Sequence, residues 1–409
     1  MERMCMGQMK VMHVVTDSIS TVLMRGQIAY LQANGFDLTL VSSPGDDLER
    51  TARREGCSVF SVPMRREISP ISDLLSFFKM CKILLAIKPL ICNSGTPKAG
   101  LLTGIAGWLT RVPCRVYTLR GLRMETAKGL RKAILRIAEK ATCLCADRVV
   151  CVSASLRERA IALRLVPRTK TVLLGLGSSN GVDPDRFEPT AERAAQAAVL
   201  RENLGIQPSQ PVIGFVGRLT RDKGVQELVA AFQTIREELS EAILLLVGDY
   251  EAGDPVPDAT RDAIESEAGI LHVSNSSQIE IYYHAMNVFV LPTYREGLPN
   301  TVLEAQAAGL PVITTMATGA VDAIEGGTTG LFTSVGDAGK LAEAVLSLLR
   351  APDKMQLMGQ KGRERVLREF RSEVVWEGLA SLYRTMLREH GYSLPASPDV
   401  EDMRCPQAP

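Results

Sequence analysis

The feature that most constrains this chain is a regular alternation of short apolar runs with amphipathic stretches of helical length, broken once near the middle. It begins with Lys10-Val-Met-His-Val-Val-Thr16, passes through a helical pattern to Asn34-Gly35, and returns with Asp37-Leu-Thr-Leu-Val-Ser42. That is a β-α-β pattern. Further runs at Leu90-Ile-Cys-Asn93, Cys114-Arg-Val-Tyr-Thr118, Arg148-Val-Val-Cys-Val-Ser153 and Thr171-Val-Leu-Leu174 are separated by helix-length segments. Parallel strands need crossovers and bury both faces of their sheet, so this alternation predicts a parallel sheet wound with helices on both sides. Near residues 175–190 it gives way to Gly175-Leu-Gly-Ser-Ser-Asn-Gly-Val-Asp-Pro-Asp185, rich in turn formers. A second series follows, with Val212–Gly217, Ile243–Gly248, Val288–Pro292, Pro311–Thr315 and Gly330–Thr333.

Two domains are therefore expected, 1–185 and 186–375, with a last helix over 376–392 packing back on the first domain and a loose tail over 393–409. The fold class is α/β: two doubly wound, Rossmann-like domains facing across a cleft. Ligands of such sheets bind beyond the carboxyl ends of the strands. A length of 409 residues with 46% apolar content supports more than one core and excludes general disorder.

Charge sharpens the division. The whole chain carries 47 Lys and Arg against 46 Asp and Glu, but residues 1–180 hold 27 basic and 13 acidic side chains, a net of +14, leaving −13 for the rest. Two lobes with different partners explain this; chance surface composition is the plain alternative. The nine cysteines are odd in number and form no CxxC. Cys57, Cys81, Cys92, Cys143 and Cys151 sit in apolar surroundings suited to buried thiols of a reduced, cytosolic compartment. The four scattered histidines give no metal pattern, and no metal or other cofactor is expected. No apolar run approaches the length of a membrane span, and Met1 to Gln8 lacks a secretory core.

The loop Gly217-Arg-Leu-Thr-Arg-Asp-Lys-Gly224 follows a strand and opens a helix. Free amides, the helix dipole, Arg218 and Lys223 make it a candidate diphosphate site, though it is not a P-loop; a solvated strand-to-helix loop is the plain alternative. Further on, Tyr294-Arg-Glu-Gly-Leu-Pro-Asn-Thr-Val-Leu-Glu304 places Glu296 before a helix and Glu304 inside it. Two carboxylates so spaced can accept hydrogen bonds from hydroxyls on two parts of one ligand. Amides at Gly297, Leu298 and Asn300 can meet phosphates between them. Thr301-Val-Leu-Glu304 equally fits a capping box, in which Glu304 only ties down the helix start.

Together with Val247-Gly-Asp249 and Ser179-Asn-Gly-Val-Asp183, these motifs resemble the family-4 retaining glycosyltransferases of the GT-B fold, over roughly residues 10–390. Within that family the chain is most similar to bacterial enzymes that build capsule, exopolysaccharide or lipid-linked oligosaccharides. The resemblance implies a catalytic group of Glu296, Arg218, Lys223 and Arg120. Arg218 and Lys223 would neutralise the donor diphosphate, Glu304 would hold the ribose and Glu296 would orient the transferred sugar. Gly217, Gly297, Leu298, Asn300 and Thr301 would complete the donor site, with Val273 against the base. Many relatives carry a histidine where this chain has Arg120, in Tyr117-Thr-Leu-Arg-Gly-Leu-Arg123. Without that base, retention with the departing phosphate as proton acceptor is favoured over inversion. Arg120 would stabilise the leaving group, bind an acceptor phosphate, or be a plain surface residue.

His13 and His284 are expected to be packing residues, and Asp183-Pro-Asp185 an acidic turn rather than a metal site. In the first domain Ser94, Gly95 and Lys98 are candidates for gripping the acceptor, an ordinary β-to-α turn being the alternative. Ser18 is a further candidate in Asp17-Ser-Ile-Ser20, which replaces the family's glycine pair. Basic residues including Lys128, Arg131, Lys132, Arg136 and Lys140 interleave with Leu130, Ile134, Leu135 and Ile137. A second such stretch, Ile71 to Lys88, sets Leu74, Leu75, Phe77 and Phe78 beside Lys79 and Lys82. An anionic membrane surface fits these helices; buried sheet-covering helices with solvated basic faces are the alternative. No nucleic-acid signature accompanies the charge.

The expectation is a cytoplasmic enzyme peripheral to the inner face of the membrane. It would move a sugar from a UDP-sugar, in preference to a GDP-sugar, to a polyprenyl-linked saccharide acceptor with retention. A nucleotide-sugar epimerase or hydrolase on the same frame, and a silent nucleotide-sugar-binding partner, are the alternatives.

Overall fold

The computed structural model describes residues 9–65 and 69–394. The N-terminal segment Met1 to Gln8 and the expected tail beyond residue 394 lie outside the described residues.

Strands β1 (Met9–Val14), β2 (Phe36–Ser42), β3 (Ser58–Ser61), β4 (Ile91–Ser94), β5 (Cys114–Leu119), β6 (Arg148–Cys151) and β7 (Thr171–Leu173) form a seven-stranded sheet in the order β3-β2-β1-β4-β5-β6-β7. Strands β8 (Val212–Val216), β9 (Ile243–Val247), β10 (Ile270–Val273), β11 (Val288–Leu291), β12 (Val312–Thr315) and β13 (Gly330–Thr333) form a second sheet in the order β10-β9-β8-β11-β12-β13. The ladders of both sheets are parallel. The two doubly wound α/β domains are thus as the alternation predicts. Two strands escaped the reading, β3 and β10, and both are sheet edges whose residues are largely half-buried or exposed. An edge strand buries too little to need an apolar run.

Each strand order reverses once, between β1 and β4 and again between β8 and β11. At such a switch point neighbouring crossovers leave to opposite faces and open a crevice above the strand ends. The loops after β8 and β11 therefore stand side by side in the second domain, as do those after β1 and β4 in the first. Helix Val225–Glu238, which leads away from the β8 loop, buries Val225, Leu228, Val229, Phe232 and Ile235 on one stripe. Each such side chain contributes roughly 1.5–3 kcal/mol of burial, which fixes the loop at its start.

The domains are tied where the chain passes between them. Val182 N–H donates to Phe370 O (2.8 Å) and Ser372 N–H to Val182 O (3.1 Å). Helix Ser372–Glu389 then lies on the first sheet, burying Val375, Leu379, Tyr383, Met386 and Leu387 beside Leu38, Leu40 and Ile91. The Tyr383 hydroxyl lies 2.8 Å from His13 Nε2 and accepts from Asn93 Nδ2 at 2.7 Å. Burial, then the nearby Arg120 charge, lowers the His13 pKa to about 3, so this ring is a neutral packing group. Asp183 caps the short helix Pro184–Phe187 and Asp185 pairs with Arg371 at 3.1 Å, which is how that acidic turn is used.

One helical layer departs from ordinary sheet cover. Helices Pro70–Ile87, Pro97–Leu109 and Gly129–Cys145 pack side by side on the first domain. Ile71, Leu74, Leu75, Phe78, Trp108, Leu130 and Ile137 on them are each more than half exposed. The apolar stripes of the two basic stretches are therefore only partly spent on the core: Ile83 and Leu84 are buried, while Leu74 and Leu75 are not. No helix among the described residues is long and apolar enough to cross a membrane.

Candidate active site between the two sheets

The β8 loop is built by glycines that let backbones touch. A Cβ on Gly248 would lie 2.0 Å from Gly217 O, and one on Gly224 would lie 2.0 Å from Pro292 O. Gly224, at φ 72°, also supplies the left-handed turn into helix Val225–Glu238, whose N-terminus has no side-chain cap. Its first amides remain available to a ligand. Two of the loop's three cations meet carboxylates: exposed Arg218 pairs with Glu251, and Lys223 pairs with Glu296, at 19% and 12% side-chain exposure, while Arg221 Nε donates to Pro255 O at 2.8 Å. Lys223 and Glu296 thus meet across the switch point, one from each neighbouring loop.

Beyond β11, Glu296 N–H donates to Thr318 O at 2.8 Å. Leu298 is buried, and Pro299 precedes helix Asn300–Ala307 without any side-chain cap. The expected alternative, a Thr301–Glu304 capping box, is overturned: Thr301 lies inside the helix, and Glu304 Oε2 instead accepts from the Tyr283 hydroxyl at 2.8 Å. Burial raises the Glu304 pKa, opposed by that hydrogen bond and the Arg186 charge. Asn300 Oδ1 is buried with no hydrogen-bond partner among the described residues, an acceptor left open at the start of the helix. Val273 ends β10, its carbonyl accepting from Gly248 N–H at 2.9 Å, which sets it beside the Gly217–Gly248 contact. Next to it His272 Nε2 lies 2.8 Å from Gly248 O.

In the first domain Arg120 follows β5. Its Nε donates to Ser179 Oγ and its Nη1 to Gly95 O, both at 2.5 Å. Its carbonyl faces the second domain, where a Cβ on Gly297 would lie 2.3 Å from it. Arg120 therefore joins the β4 loop to the carboxylate loop and is no plain surface residue. Of the residues expected to grip the acceptor, Ser94, Lys98 and Ser18 each have partners within the first domain. Ser94 is buried with its hydroxyl 3.4 Å from Val116 O, and Lys98 is turned to Asp73 at 2.8 Å. Ser18 is buried in a short helix capped by Asp17 and packs against Gly45. Of the four, only Gly95 stands with Arg120.

A polar seam unforeseen in the sequence holds the lobes together around this point. Ser155 N–H donates to Asp322 Oδ2 (2.9 Å), Gly319 N–H to Ser155 Oγ (2.7 Å) and Thr318 Oγ1 to Glu125 Oε1 (3.1 Å). Arg295 pairs with Asp222, and both reach Thr126 Oγ1, at 3.0 and 3.2 Å. The pairs that cross between the lobes lie more than ninety residues apart in the chain, so no local spacing could reveal them.

Two Rossmann-like domains whose switch points share one cleft, lined by amides, cations and carboxylates, define the GT-B class of glycosyltransferase. The structure of Anabaena HepE in complex with UDP is similar, with a TM-score of 0.76 and 17% identity over 92% of this chain and all of that one. Sucrose-phosphate synthase from Thermosynechococcus elongatus gives a TM-score of 0.75 and 20% identity, over 93% of this chain and all of that one. Residues 20–177 match the glycosyl transferase 4-like domain, and residues 197–365 match glycosyl transferases group 1. The capsular polysaccharide biosynthesis glycosyltransferase CapM of Staphylococcus aureus is 37% identical over 386 residues, covering 94% of this chain and 99% of CapM. The chain belongs to the family-4 glycosyltransferases of the GT-B fold.

Proposed function

We propose that this glycosyltransferase transfers a hexose, with retention, from a UDP-sugar to a lipid-linked saccharide in capsule or related polysaccharide synthesis. The observation that carries the reading is the meeting of Lys223 and Glu296 at the switch point, directly across from Arg120. The donor diphosphate takes over Lys223 and Arg218 from Glu296 and Glu251, charge for charge. Glu296, released, accepts from hydroxyls of the transferred sugar, and Glu304 from those of the ribose. The uncapped helix start at Gly224 and the amides of Gly297 and Leu298 serve the phosphates, while Val273 borders the base. Gly217, Asn300 and Thr301 complete the wall.

Retention fits the local chemistry. Arg120 stands where an inverting reaction would need a base, and a guanidinium cannot accept a proton at neutral pH. The acceptor's proton passes to the departing phosphate, whose charge Lys223, Arg218 and Arg120 stabilise. UDP is supported by the HepE complex and capsule synthesis by the likeness to CapM. No metal or other cofactor enters this chemistry.

The exposed apolar layer supports a peripheral place on the anionic inner face of the membrane. Its side chains are interleaved with Lys79, Lys82, Arg131, Lys132 and Arg136, each worth roughly 1 kcal/mol near an anionic leaflet. That orientation would bring the first domain to a polyprenyl-linked acceptor.

The test is a donor panel: purified protein, each common UDP- and GDP-sugar, bacterial lipid extract, and detection of released nucleotide and of the product anomer. Release dependent on lipid, with the donor's anomeric configuration kept and activity nearly abolished by Glu296→Ala, is expected. Donor turnover without lipid would favour an epimerase or hydrolase, and binding without turnover a silent partner.

A further inference from the structure

We propose that Arg120 is the centre of a subsite for an anionic oxyacid group, either the phosphate of the acceptor or a carboxylate on the transferred sugar. This rests on the cleft being the transfer site.

The observation is a half-buried cation with no counter-charge. Several other partly buried cations meet carboxylates: Arg115 meets Asp147, Arg186 meets Glu280, Arg295 meets Asp222, Lys98 meets Asp73 and Lys223 meets Glu296. Arg120 has no carboxylate within ion-pair distance among the described residues. Its two hydrogen bonds go to neutral acceptors, Ser179 Oγ and Gly95 O, and Nη2 has no partner among the described residues. Arg201, Arg236, Arg384 and Lys170 also lack a carboxylate, but each donates to backbone carbonyls, Arg201 to those of Ala285, Gln207 and Gln210. Arg120 keeps an edge unused.

A cavity of about 20 Å³, room for about one water, lies against Arg120. Gly95, Ser178, Ser179, Asn93, Thr118 and Gln27 line its polar side and bring no charge, while apolar side chains, among them Val14, Leu174 and Val375, line the rest. The one ionisable ring beside it, His13, is held neutral. Burial draws the Arg120 pKa down to about 10, opposed only by Tyr117 and Tyr383, so no acid relieves the cost of burying this charge. Gly95 is required for the arrangement, since a Cβ there would lie 1.9 Å from Arg120 Nη1. A guanidinium with one free edge binds phosphate or carboxylate in a planar, charge-assisted manner. The backbone carbonyl of the same residue faces Gly297, which places Arg120 at the junction with the carboxylate loop.

A purely structural Arg120, tying the β4 loop to Ser179, would serve any ligand equally. Charge selectivity separates the two roles. Binding of farnesyl diphosphate, UDP-glucose and UDP-glucuronate is measured for the wild type, Arg120→Gln and Arg120→Lys. If the anion is the acceptor's phosphate, Arg120→Gln weakens farnesyl diphosphate by at least about tenfold, the size of one charge-assisted hydrogen bond, and Arg120→Lys restores much of it. If the anion is a sugar carboxylate, the Gln variant instead loses a preference for UDP-glucuronate over UDP-glucose. Unchanged binding of both anions in folded Arg120→Gln overturns the proposal. So does wild-type protein that binds farnesol as tightly as farnesyl diphosphate and UDP-glucose as tightly as UDP-glucuronate, a measurement that needs no variant. A wild type that binds no UDP would instead sink the donor-site reading, leaving the two failures distinct.

Discussion

At the scale of single residues, Glu304 decides how the donor site responds to acid. Its carboxylate must be charged to accept from hydroxyls, yet burial raises its pKa above the ordinary 4.5. Affinity for UDP-glucose, whose own phosphates do not titrate near neutrality, should therefore fall as pH is lowered, with its midpoint above 4.5. The Tyr283 hydroxyl stabilises the charged form, so Tyr283→Phe should move that midpoint upward. Titration between pH 5 and 8 checks this, and a downward shift would contradict it. Glu296, Arg218 and Lys223 stand out in the sequence because each sits a few residues past a strand, and Glu304 because it lies in the helix that follows Glu296. Tyr283 and Glu251, their partners, were not, because only the tertiary fold brings them near. The partners of Ser94, Lys98 and Ser18 within the first domain were not legible for the same reason.

At the scale of elements, helix Gly129–Cys145 shows how an exposed apolar face coexists with a firm attachment. It docks through Glu139, which is 6% exposed and accepts from the Tyr117 hydroxyl at 2.7 Å. Burial raises the Glu139 pKa to about 7, against that hydrogen bond. A carboxyl raised in the folded state contributes its full stability below its unfolded pKa and loses it as pH climbs to the folded value. Between about pH 4.5 and 7 the protein should lose up to about 3 kcal/mol from this group. Glu139→Gln keeps an acceptor for Tyr117 and removes the ionisation, so its melting temperature should decline less from pH 5 to 7.5. Equal slopes in thermal melts would refute this. The basic, amphipathic character of this helix was legible as a pattern. Which apolar residues stay uncovered was not, because helical spacing alone does not distinguish a stripe facing a sheet from one facing outward.

At the scale of the whole molecule, the seam holds the lobes closed through Ser155–Asp322, Glu125–Thr318 and the Thr126–Asp222–Arg295 group. Asp322→Ala removes the acceptor of two bonds from Ser155. It should loosen closure, seen as a larger radius of gyration in solution scattering, with donor binding weakened less than transfer. An unchanged radius would show that the seam does not set the opening. The two-domain plan could be read from the strand alternation and the change of charge sign, since both repeat along the chain. Closure could not, because it depends on pairs drawn from both halves.

The central claim is that the switch point between β8 and β11 is a nucleotide-sugar site built on Lys223. Calorimetric titration with UDP tests it most directly. The account predicts one saturable site in the wild type, weakened at least about tenfold in folded Lys223→Ala through loss of a charged contact. A wild type indifferent to UDP, or a variant that binds it equally well, would contradict it.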